Sequence, residues 1–172
     1  MAFDLEEQEQ IATLKQFWEQ YGKLIVTCAL LALAAFGGVK GWRHHQATLA
    51  GEASAVFAKF EEGVRKNDVG EIRKLGGELA DKYGATAYGP MAALVLAKSE
   101  YENGDAAAAT QRLRWVIDKA RDEDTAALAR VRLAGILLDE KKYDEALKLL
   151  DAPHGAALQT LIADMRGDVL FA

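Results

Sequence analysis

The sequence predicts an all-α protein in which one N-terminal transmembrane helix is followed by a solenoid of helical hairpins. Three observations predict this fold class. Residues 24–39 form an uncharged apolar run, apolar residues recur at intervals of three and four after Arg43, and two later segments repeat at an offset of 37 residues. The 172-residue chain has only two prolines, and no alternating pattern predicts β-strands.

The apolar run predicts a short transmembrane helix. As a helix, the run is about 24 Å long, which is short for a hydrocarbon core of about 30 Å. Aromatic residues and lysines on both sides lengthen the segment, and the helix from Tyr21 to Trp42 would measure about 33 Å. We therefore expect residues 1–22 to form a tail and residues 23–42 to cross the membrane.

A cleaved signal peptide, a bacterial lipoprotein and a buried helix are the alternatives to a transmembrane helix for this run. A lipoprotein needs its cysteine after the apolar run, whereas Cys28 lies near the beginning. A cleaved signal peptide normally has a short basic leader, whereas this leader is long and acidic. A helix buried in a soluble domain would have to bury every face of the run. Cys28 is the single cysteine and lies inside the run, so it cannot form an intramolecular disulfide.

The residues beside and within the predicted span give little information on its orientation. Lys15 and Lys23 precede the span, while Lys40 and Arg43 lie at its other end, so the basic-residue rule does not decide. Small residues four positions apart would let a second helix approach closely. The candidate packing residues are Ala34, Gly37, Gly38 and Gly41.

Residues 43–172 predict a helical domain. A first helix should extend to about Lys66, and it can continue the membrane helix directly. Asn67 and Asp68 then indicate a turn and a helix N-cap, and a second helix should end before Gly84.

An internal repeat follows, in residues 92–113 and 129–150. At the offset of 37 residues, Gly104 aligns with Lys141, and several alanines and leucines coincide. Each copy predicts a helix, a tight polar turn and a second helix, which is the spacing of tetratricopeptide (TPR) hairpins. A generic amphipathic bundle is the alternative, because neither copy has the full set of TPR marker residues.

A third copy of the hairpin is predicted to begin near Ala156, where Gly167 lies 33 residues after Ala134. The sequence then ends on an apolar turn that includes Leu170 and Phe171. We expect either a truncated C-terminus or a partner that covers this surface, because solenoids need a polar cap.

The sequence contains no motif of a catalytic site, a phosphate loop or a zinc site. We therefore predict no enzyme activity, no cofactor and no metal. His44 and His45 are interpreted as polar residues beside the membrane rather than as a metal or pH-sensing site. Nucleic acid is not expected as a partner, because the net charge is −5 and no basic face is concentrated after the span.

The remaining candidate for function is a protein-binding surface. In a TPR solenoid, the first helices of successive hairpins form a concave face, which commonly binds peptides. The sequence leaves open whether this face is accessible or covered as ordinary core. The predicted protein-binding residues are Met91, Leu94, Lys98, Tyr101, Leu128, Val131 and Leu138.

Three short stretches carry a resemblance to a known family. They are Phe17-Trp18-Glu19-Gln20-Tyr21-Gly22-Lys23, Gly41-Trp42, and Ile162-Ala163-Asp164-Met165-Arg166-Gly167-Asp168. Together with the single anchor and the repeats, they resemble the YfgM family of bacterial inner-membrane proteins over essentially the whole chain. Family members usually continue beyond this point, which supports the expectation of a truncated C-terminus.

The resemblance implies a bacterial inner-membrane protein whose N-terminus is cytoplasmic and whose TPR-like domain, residues 43–172, is periplasmic. It also implies association with the SecYEG translocon and with PpiD, a membrane-anchored periplasmic chaperone, and binding of unfolded exported proteins. No catalytic residues carry over from the family. We therefore predict a non-catalytic, translocon-associated chaperone or adaptor. The alternative is a TPR scaffold in envelope or outer-membrane-protein assembly.

Overall fold

A computed structural model describes the backbone of residues 2–172 and the side chains of residues 11, 15–24, 26–28 and 30–172. The backbone within residues 2–172 is helical with no strand, so the predicted all-α fold is confirmed. The helices are α1 (Ala2–Lys66), α2 (Val69–Tyr83), α3 (Tyr88–Glu102), α4 (Ala106–Lys119), α5 (Glu123–Asp139), α6 (Tyr143–Leu150) and α7 (Gln159–Phe171), with a 3₁₀ turn at Ala156–Leu158.

The chain divides into two compact units, Met1–Gln46 and Ala47–Ala172. Within the part of the chain that the structure describes, one helix is long and apolar enough to cross a membrane, and it is α1. Large apolar side chains of its predicted span are mostly exposed rather than covered by protein, as expected for a lipid-facing helix. The buried-helix alternative therefore has no support from these side chains. They include Leu24, Leu30, Leu31, Leu33, Phe36 and Val39.

The second unit consists of three helical hairpins and a seventh helix. The hairpins pair the last part of α1 with α2, α3 with α4, and α5 with α6, while α7 packs against α5 and α6. Asn67, Gly104 and Lys141 occupy the turns of the three hairpins, and each has a positive φ, of 53°, 86° and 60° respectively. Their numbers differ by 37 at each step, so the first hairpin belongs to the same repeat.

The residue after each of these three positions is the N-cap of the second helix of its hairpin. Asp68 Oδ1 accepts a hydrogen bond of 3.0 Å from the Glu71 backbone N–H, and Asp105 Oδ1 accepts one of 3.0 Å from the Ala108 N–H. Lys142 takes the equivalent position before α6 without a side-chain cap. The turn and N-cap expected at Asn67 and Asp68 therefore agree with the structure, and the repeat extends further upstream than the sequence indicated.

The hydrophobic core follows the hairpins in two clusters. The first joins α1, α2 and α3 around Phe60 and Leu79, which are almost completely buried. The second joins α3 to α7 around Leu113 and Leu133. Gly76 permits close packing in the first cluster, because an added Cβ would lie 3.1 Å from Phe60 Cε2 and 3.2 Å from Leu96 Cδ2.

Lys141→Gly is expected to stabilise the domain by about 1 kcal/mol. Lys141 holds a left-handed conformation that disfavours residues with a Cβ, and glycine removes this penalty. Urea unfolding of the full chain in detergent, followed by circular dichroism, measures the change. Lys148→Gly, in the last turn of α6, is the matched control and should instead lose up to about 1 kcal/mol. Equal losses in both variants would contradict the assigned turn.

Candidate protein-binding groove

A cavity of about 530 Å³ lies between α3 and α5, the first helices of the second and third hairpins. We call it the α3–α5 groove. Its size falls in the range of small-molecule pockets. It is lined by Ala97, Lys98, Tyr101, Leu113, Arg132, Gly135, Ile136, Leu138 and Asp139.

Helical spacing explains why these residues meet. Arg132, Gly135, Ile136 and Asp139 recur at intervals of three and four, so they share one face of α5. Ala97, Lys98 and Tyr101 lie on one face of α3 and line the opposite wall of the groove. Leu113 of α4 is almost fully buried and lies behind both helices. The groove therefore has an apolar base and polar groups along its edges.

Tyr101 and Asp139 join α3 to α5 near the C-terminal ends of both helices. The Tyr101 hydroxyl donates a hydrogen bond to Asp139 Oδ2. This hydrogen bond is the main cause that raises the pKa of Tyr101 above its ordinary value, and burial and the Asp139 charge add to it. The phenol therefore stays protonated at neutral pH and keeps its donor role.

Two basic residues line the groove, and their surroundings differ. Lys98 is exposed and its Nζ lies 3.6 Å from Glu102 Oε1. Arg132 is half-buried, and its Nη1 donates a 2.9 Å hydrogen bond to the Leu94 carbonyl oxygen. Burial lowers the pKa of Arg132 from its ordinary value, although an arginine remains charged at neutral pH.

No carboxylate among the described side chains lies within 4.0 Å of the Arg132 guanidinium. Arg132 was not among the residues predicted to bind protein. The sequence did contain a signal, since Arg132 stands one turn after Leu128 and one turn before Ile136, on an apolar stretch of α5. A charge at such a position is costly to bury unless it has a partner.

The structure brings together Lys98, Tyr101 and Leu138 of the predicted protein-binding residues, and all three line the groove. The other four lie outside the groove lining. Met91 is exposed and Leu128 is half-buried, whereas Leu94 and Val131 are buried in the core of the second cluster.

The four candidate packing residues of the predicted span are exposed. A Cβ added at Gly37, Gly38 or Gly41 would meet no heavy atom within 4 Å, and Ala34 is likewise exposed. Their packing against a second helix stays a prediction. Among the described residues, no group of three His, Cys, Asp or Glu side chains is placed to hold a metal ion.

Repeated hairpins, with a groove between their first helices, define the class of TPR-like proteins. The family model described as "tetratricopeptide repeat-like domain" matches residues 15–172. No solved structure matches the chain.

Three curated relatives each carry the name "Ancillary SecYEG translocon subunit". The relative from Neisseria gonorrhoeae is 33% identical over 98% of this chain and 81% of its own length. The relative from Haemophilus influenzae is 27% identical over 98% of this chain and 82% of its own length. The relative from Escherichia coli is 28% identical over 95% of this chain and 79% of its own length. The chain belongs to this family of ancillary SecYEG translocon subunits, the YfgM family.

Proposed function

We propose that this protein is a membrane-anchored, non-catalytic subunit of the SecYEG translocon that binds exported proteins as they enter the periplasm. The observation that carries the proposal is the α3–α5 groove, found in a chain whose relatives are named as translocon subunits. An apolar groove edged by polar groups suits an extended or helical peptide, because apolar contacts supply affinity and edge groups supply orientation.

The anchor provides the second part of the proposed role. In this proposal, α1 crosses the inner membrane once, with residues 1–22 in the cytoplasm and the repeat domain in the periplasm. Attachment to the membrane raises the concentration of the groove near the translocon exit, so weak binding of each unfolded chain is sufficient. The small residues from Ala34 to Gly41 would then pack against a neighbouring helix of SecYEG or of a PpiD-like chaperone.

The residues proposed to contact exported chains are those of the predicted face. Lys98, Tyr101 and Leu138 form part of the groove wall, and Met91 is exposed on the same helix as Lys98. Leu94, Leu128 and Val131 would act indirectly, since their packing holds α3 and α5 at the separation that leaves the groove open.

Site-specific photo-cross-linking of the full chain in cells tests both parts. A photoreactive residue at Gly38 is expected to capture translocon or PpiD-like subunits, and one at Lys98 is expected to capture an exported chain arrested during translocation. Phe36, roughly opposite Gly38 on the same helix, and Arg114, which lies outside the groove, are the matched control positions.

Each arm of this experiment has an outcome that would contradict the proposal. Capture of no translocon subunit from Gly38 would remove the assembly role. Equal capture of exported chains from Lys98 and Arg114, or none from either, would remove the client-binding role and favour a TPR scaffold in envelope or outer-membrane-protein assembly.

A further inference from the structure

We infer that the α3–α5 groove selects apolar peptide segments that carry an acidic side chain, whose carboxylate pairs with the guanidinium of Arg132. This inference rests on the proposed client-binding function and adds the chemical class of the ligand. The groove would therefore recognise an Asp or Glu that stands among apolar residues of an unfolded chain.

Of the two basic side chains that line the groove, Arg132 is the one without a carboxylate neighbour among the described residues. Lys98 already faces Glu102, and Asp139 already accepts a hydrogen bond from Tyr101. Arg132 has no carboxylate within 4.0 Å among the described side chains, although it lines the groove. A peptide carboxylate can therefore supply the ion-pair partner that Arg132 does not have among the described side chains.

The burial of Arg132 gives the pairing its strength. A guanidinium at a protein surface gains little from an ion pair, because water screens the charge. Arg132 is half-buried, and loss of water around it is the cause that lowers its pKa. Its Nη1 donates to the Leu94 carbonyl, which fixes the planar group and leaves further N–H donors for a bidentate carboxylate contact.

The apolar part of the groove explains why the carboxylate should stand beside apolar residues. Ala97, Leu113, Ile136 and Leu138 supply apolar lining around Arg132. A free small anion would satisfy the guanidinium but leave this surface in water. A segment with apolar side chains next to the acid satisfies both at once.

We assign the carboxylate to a side chain rather than to a chain terminus. An exported protein that is still crossing the membrane emerges with its amino-terminal part first, so its terminal carboxylate is not available at the groove. Internal Asp and Glu residues are available throughout translocation.

Peptide binding to the full chain in detergent tests the inference by fluorescence anisotropy. The probe is a fluorescein-labelled, leucine-rich nonapeptide with one central Glu and an amidated C-terminus. The comparison peptides carry Gln in place of Glu, one with an amidated and one with a free C-terminus. The Glu peptide is expected to bind about tenfold more tightly than the amidated Gln peptide, a difference of about 1.4 kcal/mol.

Variants of the chain identify the group responsible. Arg132→Gln should bind the Glu and Gln peptides equally, while Arg132→Lys should retain part of the preference because the charge remains. Arg114→Gln is the matched control, since Arg114 is an exposed arginine of the same domain that does not line the groove. It should leave the tenfold preference unchanged. Helix content by circular dichroism confirms that each variant folds.

Several results would overturn the inference. They are equal affinity of the wild-type chain for the Glu and Gln peptides, a preference that survives in Arg132→Gln, and tighter binding of only the free-terminus Gln peptide. Should Arg132→Gln not fold, the wild-type preference must still weaken at high salt, as a charge pair requires.

The result separates this inference from the proposed function. If both amidated peptides bind equally and the Lys98 cross-link to exported chains persists, client binding stands and the acidic preference fails. If no peptide binds, and only a second copy of the chain is captured at Lys98, both the preference and the client-binding role fail.

Discussion

Arg112→Met is expected to destabilise the repeat domain by about 3–5 kcal/mol, because it leaves a buried carboxylate without its partner. Glu100 of α3 is almost completely buried, with its side chain 7% exposed. Arg112 of α4 holds it with two N–H groups, Nε at 3.0 and 2.9 Å from Oε1 and Oε2, and Nη2 at 2.8 Å from Oε1. This ion pair connects α3 to α4, the two helices of the second hairpin.

The two partners of the pair should not be equivalent. Arg112 is 27% exposed, so after Glu100→Met its guanidinium can turn toward water, and we expect a smaller loss of about 1–3 kcal/mol. The double variant Glu100→Met with Arg112→Met should lie closer to the wild type than Arg112→Met alone, since no buried charge is left.

Urea unfolding of the four proteins, measured by circular dichroism on the full chain in detergent, completes this double-mutant cycle. A loss below about 1 kcal/mol in Arg112→Met would show that the pair is not important for the fold. Additive losses in the double variant would show that the two side chains act independently, contrary to the bidentate contact.

The helices and turns of the fold could largely be predicted from the sequence, because local chemistry determines them. Asn67 and Asp68 indicated the first turn, and the alignment of Gly104 with Lys141 identified two positions that share a left-handed conformation. The candidate membrane-spanning helix could likewise be found from the sequence, since an uncharged apolar run is recognised without knowledge of neighbouring helices.

The first hairpin was not recognised as part of the repeat, and packing explains why. At the repeat spacing, Phe60 and Gly76 take the places of Ala97 and Leu113, so the large and small residues have exchanged positions between the two helices. The pair Phe60 and Gly76 and the pair Ala97 and Leu113 have similar total side-chain volumes, although their residue types differ. Comparison of residue types therefore missed the first hairpin, whereas comparison of backbone φ angles at the turns reveals it.

The candidate site could be predicted only in part, because burial depends on tertiary packing. Lys98, Tyr101 and Leu138 were placed on a binding face by helical spacing, and they do line the groove. Leu94 and Val131 satisfy the same spacing but are covered by neighbouring helices. Arg132 was missed because an arginine in a helix normally faces solvent, and its half-buried state arises only when α3 packs beside α5.

The connection between α2 and α3 also depends on packing that the sequence did not reveal, and Gly89→Ala is expected to destabilise the domain by about 3 kcal/mol. A Cβ at this position would lie 2.6 Å from Gly84 Cα and 2.8 Å from the Tyr83 carbonyl oxygen. The added atom would therefore collide with backbone rather than with the end of a flexible side chain.

The backbone of this connection has little freedom to move away. The Tyr83 carbonyl accepts hydrogen bonds from the Thr86 backbone N–H at 2.8 Å and from the Thr86 hydroxyl at 2.7 Å. Trp115 of α4 packs over Gly84, since a Cβ there would lie 2.9 Å from Trp115 Cζ2. Any shift that relieves Gly89→Ala must disturb these hydrogen bonds or the indole contact.

Gly77→Ala provides the matched control, because Gly77 also lies in a helix but has no heavy atom within 4 Å of an added Cβ. Alanine there should stabilise α2 by up to about 1 kcal/mol through helix propensity. The same glycine-to-alanine change is thus expected to have opposite signs at two nearby positions. Urea unfolding midpoints of both variants decide the matter, and a stabilising Gly89→Ala would show that the close approach of α2 and α3 is not as described.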